Sequence, residues 1–343
     1  MTELSRATRR HLLQTLGAFG AASVLSRPAY AASGPVVLGT WGGDTSKLLG
    51  GLVKQSKDLH GVDVTLDIGT PATRKTKLLS QLGRPRNSMD IPYLVDSDMF
   101  LLTQMNALRT LEPSAIPGYE MLMEEFRTPT SLPTMYSALV LVYSKSVKPP
   151  KAIADLWSRD YKVGIADLSY DKVIPMAAVA HGGSASNFAP GYDALLKLKQ
   201  QGARVYASNE AVGNAFQSGE INAAIMWKGR AFQWMEAGLP ITYSLPSEGA
   251  YPVSFDMAVT RNSAFAKEAQ LVLGATLLPE LQRSMALGLG QVPTVRNAGL
   301  PPDLEAKIGF TAQERARFIK PDHAYAAGKA SEMIDFWNQK FKG

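Results

Sequence analysis

Residues 36–68 read VVLGTWGGDTSKLLGGLVKQSKDLHGVDVTLDI. The stretch opens on the apolar run from Val36 to Thr40, which is typical of a strand, and closes on a second such run from Val62 to Ile68. Between them, from about Asp44 to His60, leucines and a valine recur on one side of a helix while lysines lie elsewhere. A strand, a helix and a second strand in this order favour a parallel sheet covered on both faces. The stretch therefore predicts an α/β fold.

The same alternation continues along the rest of the chain. The further predicted elements are helices at 72–82, 152–158, 173–180, 192–201, 208–219, 264–278 and 324–342, and strands at 91–95, 135–143, 163–166, 204–207, 223–227 and 253–259. The run from Met135 to Tyr143 is apolar throughout, which predicts a strand buried on both faces. Four prolines between Leu108 and Pro133 indicate a surface loop with short helical pieces. At a length of 343 residues, two lobes are favoured over a single core.

The N-terminus carries the pattern of an export signal. TRRHLL at residues 8–13 leads into an apolar, Gly/Ala-rich run from Leu12 to Leu25, which is typical of a twin-arginine signal. The triplet Ala29-Tyr30-Ala31 follows where a signal peptidase would cut. A membrane-spanning anchor is disfavoured, because this run of about 14 residues is shorter than the roughly 20 that cross a bilayer. We therefore predict that residues 1–31 are a signal cleaved after Ala31 and that the protein resides in the periplasm.

The composition argues against several classes of function. The chain has no cysteine, which removes disulfides, thiolate nucleophiles and cysteine-ligated metals and predicts no lipid anchor. Only His60, His181 and His323 remain after cleavage, and none has the spacing of a metal motif, so we expect no metal and no cofactor. Cleavage would remove four arginines and one glutamate, lowering the formal net charge from +6 to +3. Since no basic run exceeds two residues after the signal, no nucleic-acid partner is expected.

The ends of predicted strands supply the first candidate ligand residues, because ligands of open α/β sheets bind beyond the carboxyl ends of the strands. Trp41 follows the first strand and precedes Gly42 and Gly43, which let a ligand approach the backbone closely. Its alternative role is packing under the first helix. Asp96 and Ser97 end another strand, where they either receive an amine or cap the helix that follows.

Several segments form a series with a characteristic order. They are TWGG at 40–43, DIPYLVDS at 90–97, IADLW at 153–157 with YK at 161–162, SGEINAAIMWKGRAF at 218–232, PSEG at 246–249 and QVPT at 291–294. In order and separation they resemble the spermidine/putrescine-type periplasmic binding proteins of ABC importers. The resemblance extends over essentially the whole chain after the signal.

The resemblance implies a type II periplasmic binding protein fold, in which two α/β domains are joined by a hinge that the chain crosses twice and close on a ligand. Lobe 1 is then expected to comprise residues 32–141 and 258–300, and lobe 2 residues 142–257 and 301–343. The implied function is that of the periplasmic substrate-binding component of an ABC transporter for a small organic solute, polyamine-like or otherwise amine-containing. The expected partners are this solute and a membrane permease. The protein is expected to be a monomer and not an enzyme.

The resemblance also places further residues in the cleft between the lobes. Trp227 stands where the family has an aromatic wall that can stack on a cation or on methylene groups; its alternative role is that of a buried core residue. By the same comparison the cleft receives Tyr136, Ser137, Asp167, Tyr170 and Asp171. Of these, Asp171 retains one of the acids that hold ammonium groups in polyamine binders.

Departures from the family pattern bear on the identity of the ligand. Leu168 stands in the place of a second acid, and Val253 and Phe255 replace an aromatic residue and a carboxylate. Asp256, also a candidate ligand residue, lies one position out of register, and in a strand one position faces the other way. Because a buried ammonium without its carboxylate costs several kcal/mol, polyamine specificity does not follow from the resemblance.

Two alternatives stay open. The first concerns Lys228 and Arg230, which are exposed residues at the start of a helix or, if they face the cleft, partners of a carboxylate or phosphonate. Arg230 is therefore a candidate ligand residue, and an anionic solute is an alternative ligand.

The second alternative is an enzyme on the same two-lobed fold. Such enzymes typically use a cysteine nucleophile or a covalently held cofactor, and the chain has no cysteine, nucleophile elbow or P-loop.

Overall fold

The computed structural model describes residues 34–343. The predicted signal and its cleavage site lie outside this range. In chain order the strands and helices are β1 (Val36–Thr40), α1 (Asp44–His60), β2 (Val64–Ile68), α2 (Pro71–Leu79), β3 (Ile91–Val95), α3 (Asp96–Gln104), β4 (Ser131–Ser144), β5 (Val163–Ala166), α4 (Tyr170–Ala180), α5 (Ala189–Gln200), β6 (Arg204–Tyr206), α6 (Asn209–Gln217), β7 (Ala223–Trp227), α7 (Lys228–Glu236), β8 (Ile241–Ser244), β9 (Tyr251–Ala258), α8 (Ala266–Ala275), α9 (Pro279–Leu289), β10 (Val292–Pro293), α10 (Pro302–Ile308), α11 (Ala312–Ala316), α12 (His323–Gly328) and α13 (Ala330–Asp335).

The strands form one sheet in the order β2-β1-β3-β9-β4-β7-β5-β6, with β8 and β10 paired to β4. Strand β1 lies parallel to β2 and β3, and β5 lies parallel to β6 and β7. Two sets of three parallel strands therefore flank the antiparallel central pair β9 and β4. Strand β9 is antiparallel to β3 of the first set, and β4 is antiparallel to β7 of the second. The predicted α/β architecture of two lobes is confirmed.

The strands β4 and β9 connect the two lobes. Their pairing runs from Ser131 opposite Ala258 to Leu139 opposite Tyr251. From Leu139 onward β4 also pairs with β7 of the second parallel set, while β9 pairs with β3 of the first set near Phe255. The chain thus passes between the lobes along two hydrogen-bonded strands, as the predicted two-crossing hinge requires.

The core of the second lobe lies on both faces of its sheet. Along β4 every residue from Ser131 to Tyr143 is buried, as the continuous apolar run predicts. Consecutive residues of β7 belong to different clusters: Ile225 joins the cluster that includes residues of α4 and α5, and Met226 joins the cluster that includes residues of α6 and α7. This burial fixes the strand ends from which the candidate ligand residues project.

The C-terminal segment differs from the predicted single helix at 324–342. It divides into α12, α13 and a π-helical turn from Phe336 to Phe341. In this turn the rings of Trp337 and Phe341 stack with centroids 4.5 Å apart, and both side chains are buried in the second lobe. The wider turn brings both aromatic rings onto the core, which the 3.6-residue period alone does not indicate.

The predicted lobe boundaries remain a proposal. Helix α10 contacts α7 and α13 contacts α4, so the segment after residue 301 packs on the second lobe. Across residues 34–343, no helix combines the length and the apolar character that a membrane crossing needs.

Candidate functional site

An aromatic row extends across both lobes and consists of Trp41, Phe255 and Trp227. The ring centroids of Trp41 and Phe255 are 6.0 Å apart, and those of Phe255 and Trp227 are 6.3 Å apart. Trp41 follows β1, Trp227 ends β7, and Phe255 lies on the connecting strand β9. All three side chains are half-buried, so each can present a face to a ligand. The structure thus brings two of the predicted residues together and adds Phe255.

Arg74 lies against the outer end of the aromatic row. Its guanidinium carbon is 4.5 Å from the ring centroid of Trp41, and its Nη1 donates a hydrogen bond to the carbonyl oxygen of Gly69 at 2.7 Å. The side chain is only 2% exposed. Burial lowers the pKa of Arg74 to about 10, although the carboxylates of Asp98 and Asp67 raise it. No pattern in the sequence marks this arginine, since α2 carries several basic residues and only tertiary packing selects one of them.

Charged residues of the two lobes lie at helix starts, and one of them, Asp96, directly follows Val95, which pairs with Phe255 of the aromatic row. Asp96 and Asp98 lie in the first turn of α3, and Asp171 and Lys172 lie in the first turns of α4. The Lys172 ammonium is 2.6 Å from Asp171 Oδ2. Burial lowers the pKa of Lys172, but the negative charge of Asp171, helped by Asp96 and Asp98, outweighs burial and raises it. These helix starts therefore lie within electrostatic range of one another across the cleft.

One oxygen of this group has no partner. Asp171 Oδ1 is buried and accepts no hydrogen bond from any residue within 34–343. The hydroxyl of Tyr251 lies in the same electric field: burial raises its pKa, and Asp171 and Asp96 raise it further. A buried carboxylate oxygen needs a donor, and a ligand ammonium group would supply one.

Asp96 contacts the opposite lobe. Its Oδ2 is 3.6 Å from His323 Nε2 at the start of α12, and its Oδ1 accepts a hydrogen bond from the backbone N–H of Ser97 at 2.8 Å. Helix α3 begins at Asp96 itself and its N-cap position is Val95, so neither Asp96 nor Ser97 is the N-cap residue. His323 was missed by sequence reasoning because more than 200 residues separate it from Asp96.

Other predicted residues lie on or near the same face of the connecting strands. Ser137 pairs with Val253 in the ladder and is buried, and its Oγ has no partner in the described part of the chain. Gly42 is exposed, and a Cβ there would approach Ile68 Cγ2 to 3.2 Å. Since cross-strand partners face the same side of a sheet, Ser137 shares the side of Phe255.

Four predicted ligand residues are engaged elsewhere. Both oxygens of Asp167 accept hydrogen bonds, from Trp337 Nε1 at 2.6 Å and from Lys342 Nζ at 2.8 Å. Tyr136 packs on Phe126 and Phe310, on the opposite side of the strand from Ser137. Asp256 Oδ2 accepts a hydrogen bond from Ser131 Oγ at 2.8 Å. Arg230 pairs with Glu210 at 3.5 Å. The structure does not bring these four to the aromatic row.

Tyr170 and Lys228 complete the set of positions singled out from the sequence. The Tyr170 ring centroid is 6.0 Å from that of Trp337, and burial raises the pKa of its hydroxyl, as does the charge of Asp171. Lys228 is buried, donates to the carbonyl oxygen of Gly309, and lies 4.3 Å from the ring centroid of Phe310. Lys228 and Arg230 thus do not supply the cationic cleft on which the anionic alternative was based.

No group of three or more histidine, cysteine, aspartate or glutamate side chains within residues 34–343 is arranged to hold a metal ion. The arrangement is instead that of a binding surface: aromatic rings in a row, a carboxylate oxygen without a partner among the same residues, and a buried guanidinium. Such a mixture of apolar faces and a few convergent polar groups is typical of small-molecule sites.

Comparisons with known proteins identify the family and the fold. A family model described as bacterial extracellular solute-binding protein matches residues 52–312. The spermidine/putrescine-binding periplasmic protein of Escherichia coli (strain K12) is 29% identical over 226 residues, and the match covers 62% of this chain and 63% of that protein. The chain thus matches less than two thirds of the length of this relative.

Solved structures show the fold at lower identity. A spermidine/putrescine substrate-binding protein of Streptococcus pneumoniae, in complex with calcium and HEPES, has a TM-score of 0.71 at 19% identity and covers 91% of this chain and 100% of its own. A GABA receptor has a TM-score of 0.78 at 18% identity and covers 90% of this chain and 98% of its own.

Proposed function

Because the chain belongs to the bacterial extracellular solute-binding proteins, we propose that it captures a small amine-bearing solute between its two lobes and delivers it to the membrane permease of an ABC importer. Its likeness to spermidine/putrescine-binding periplasmic proteins supports this role. Export by the twin-arginine route, cleavage after Ala31 and a monomeric state belong to the same proposal. Binding without catalysis is proposed because the relatives are solute-binding proteins.

The observation that carries the proposal is the aromatic row, together with the oxygen of Asp171 that has no partner among residues 34–343. Trp41 and Trp227 come from opposite lobes, and Phe255 lies between them at 6.0 and 6.3 Å. A ligand held against these rings would contact both lobes at once, and its ammonium could donate to Asp171 Oδ1. Such a ligand binds the closed arrangement better than the open one, which is the condition for a ligand to shift the population toward closure.

The same residues support an amine-bearing ligand over a purely anionic one. Asp98 and Asp171 each pair with a lysine, Lys75 and Lys172, whereas Asp96 pairs with no lysine and Asp171 Oδ1 has no partner among residues 34–343. An ammonium of the ligand could pair with these two acids, whereas a carboxylate without an ammonium would be repelled by them.

Isothermal titration calorimetry of the purified protein tests the proposal. The compounds are putrescine, spermidine, γ-aminobutyrate, succinate and glucose, which separate diamine, polyamine, amino acid, dicarboxylate and neutral sugar. We expect binding by at least one amine and no binding by succinate or glucose. Binding by succinate alone, or no heat from any amine, would contradict the proposed function.

A further inference from the structure

Arg74 is held in one orientation by three different contacts. Its Nη1 donates to the carbonyl oxygen of Gly69 at 2.7 Å, and its guanidinium lies 4.5 Å from the ring centroid of Trp41. Its Cδ lies close to Gly39, where an added Cβ would approach it to 2.8 Å. A glycine in β1 thus leaves room for the arginine stem. The side chain is therefore ordered without help from a ligand.

The opposite edge of the guanidinium has no acceptor among residues 34–343. Neither Nε nor Nη2 finds a hydrogen-bond partner in the described part of the chain, although both atoms are buried. These two N–H groups point the same way in the guanidinium plane and form the edge that binds a carboxylate through two parallel hydrogen bonds. The single bond of Nη1 to Gly69 leaves this edge available.

The nearby acids do not compensate the charge of Arg74 directly. Asp98 pairs with Lys75 at 2.5 Å, and Asp67 pairs with Lys77 at 2.6 Å. Neither carboxylate hydrogen-bonds to the guanidinium, which is 2% exposed. A buried cation without a hydrogen-bonded counter-charge is costly, so such groups are normally paired. An anion from outside the chain would supply the missing pair.

The position of Arg74 connects it to the aromatic row. Trp41, on which it stacks, ends the row in lobe 1, whereas Asp171 lies in the first turn of α4 in lobe 2. A ligand that extends along the row from lobe 1 into lobe 2 would meet a cation at its first end and could reach this carboxylate with its second.

We propose that Arg74 binds a carboxylate of the transported solute through Nε and Nη2, so that the solute is an amino acid with its amine and carboxylate separated by an aliphatic chain lying on the aromatic row. This inference rests on the proposed function and names the chemical class of the solute that the protein would bind. It differs from a polyamine ligand, which would place an ammonium at both ends and so against Arg74. The planar, bidentate edge fits a carboxylate, and phosphonates serve as a comparison in the test.

The test compares γ-aminobutyrate with putrescine, which share a four-carbon chain and differ in one terminal group. We expect the purified wild-type protein to bind γ-aminobutyrate, or a longer ω-amino acid of the same series, at least about tenfold more tightly than the diamine of equal length. Arg74→Met, which keeps most of the stem, should weaken amino-acid binding about 100-fold and leave diamine binding unchanged or stronger. Arg74→Lys, which keeps a cation but not the fork, should weaken it by a smaller factor.

Arg86→Met is the matched control, because Arg86 also lies over an aromatic ring, Phe265 at 5.1 Å, but is exposed. It should change neither affinity. If Arg74→Met is poorly folded by circular dichroism, Arg74→Lys carries the comparison. Tight diamine binding that is indifferent to Arg74, or preference for the aminophosphonate over the amino acid, would overturn the inference while leaving the proposed function standing. Absence of binding by every amine would overturn both.

Discussion

At the scale of single residues, the site depends on side chains at strand ends. Trp41 directly follows β1, Trp227 is the last residue of β7, and Asp96 and Asp171 lie in the first turns of α3 and α4. Since the carboxyl ends of the parallel strands meet at one edge within each lobe, sequence position alone brings such residues near one another. Position at a strand end predicted Trp41 and Asp96 as candidates, whereas Asp171 and Trp227 were predicted from the family resemblance.

Replacement of Trp227 tests the aromatic row. We expect Trp227→Ala to weaken amine binding at least about tenfold, since the ring provides a stacking face for a cation or for methylene groups, with little change in the melting temperature of the free protein. Calorimetry and thermal unfolding measure the two effects. Trp234→Ala is the control: Trp234 is also half-buried but packs on Phe216 at 6.3 Å, so it should lower stability and leave affinity unchanged. Equal affinity of Trp227→Ala and the wild type would remove Trp227 from the site.

Replacement of Asp171 tests the partnerless carboxylate oxygen. Asp171→Asn keeps the shape but removes the charge, and a hydrogen bond to a charged group contributes about 1.5–3 kcal/mol. We therefore expect amine affinity to fall between about tenfold and about a hundredfold in calorimetry. Asp193→Asn, at an exposed position of α5, should behave like the wild type. A loss of similar size in both variants would point to net charge rather than to a specific contact.

The residues that sequence reasoning missed share a physical cause. Arg74 is selected among several basic side chains of α2 by its packing on Trp41, and His323 reaches Asp96 from a distant part of the chain. Phe255 was predicted as a departure from a family pattern, yet it completes the aromatic row. None of the three is distinguished by local spacing, because tertiary contacts determine their position.

At the scale of secondary structure, β4 and β9 determine which side chains face the cleft. Neighbouring residues in a strand face opposite sides, so Phe255 joins the aromatic row while Asp256 turns toward Ser131 in the buried interior. The strands themselves were predictable from their apolar runs. The division of the C-terminal segment was not, because the π-helical turn that buries Trp337 and Phe341 follows from core packing.

The buried carboxyl group of Asp256 makes the stability of these strands depend on pH. Burial raises the pKa of Asp256 to about 7, and Asp96 raises it while Ser254, Ser131 and His323 lower it. The folded protein therefore holds this proton more tightly than the unfolded chain does. The contribution of this carboxyl group to the free energy of unfolding is therefore fully present at low pH. It is lost as the pH rises from the pKa of the unfolded chain, near 4, to the pKa of the folded protein, near 7.

We expect Asp256→Asn to remove this loss. Relative to the wild type, the free energy of unfolding of the variant should rise by on the order of a few kcal/mol between pH 4 and pH 8, as measured by urea unfolding across that range. Ser131→Ala, which removes the hydrogen bond but keeps the carboxyl group, is the companion variant and should retain the pH dependence. A constant difference between Asp256→Asn and the wild type at all pH values would show that Asp256 does not titrate in this window.

At the scale of the whole molecule, the two lobes are connected by a paired ribbon rather than by a free linker. Because β4 and β9 stay hydrogen-bonded from Ser131 to Leu139, relative motion of the lobes requires this ribbon to twist or bend. Contacts between the lobes outside the ribbon then influence how often the closed arrangement forms.

The contact of α12 with α3 is such an interlobe contact. His323 Nε2 lies 3.6 Å from Asp96 Oδ2, and its ring centroid lies 5.9 Å from that of Phe100. A partly exposed contact of this kind contributes about 0.5–1 kcal/mol, so its removal should favour the open form and weaken ligand binding about two- to fivefold. We expect small-angle scattering to give a larger radius of gyration for unliganded His323→Ala than for the wild type, and a saturating amine ligand to restore the compact value.

His181→Ala is the matched control, since His181 packs on Trp157 at 4.4 Å within one lobe, and it should leave the radius of gyration unchanged. Identical scattering from His323→Ala and the wild type, with unchanged affinity, would show that α12 and α3 do not hold the lobes together and that the ligand alone drives closure.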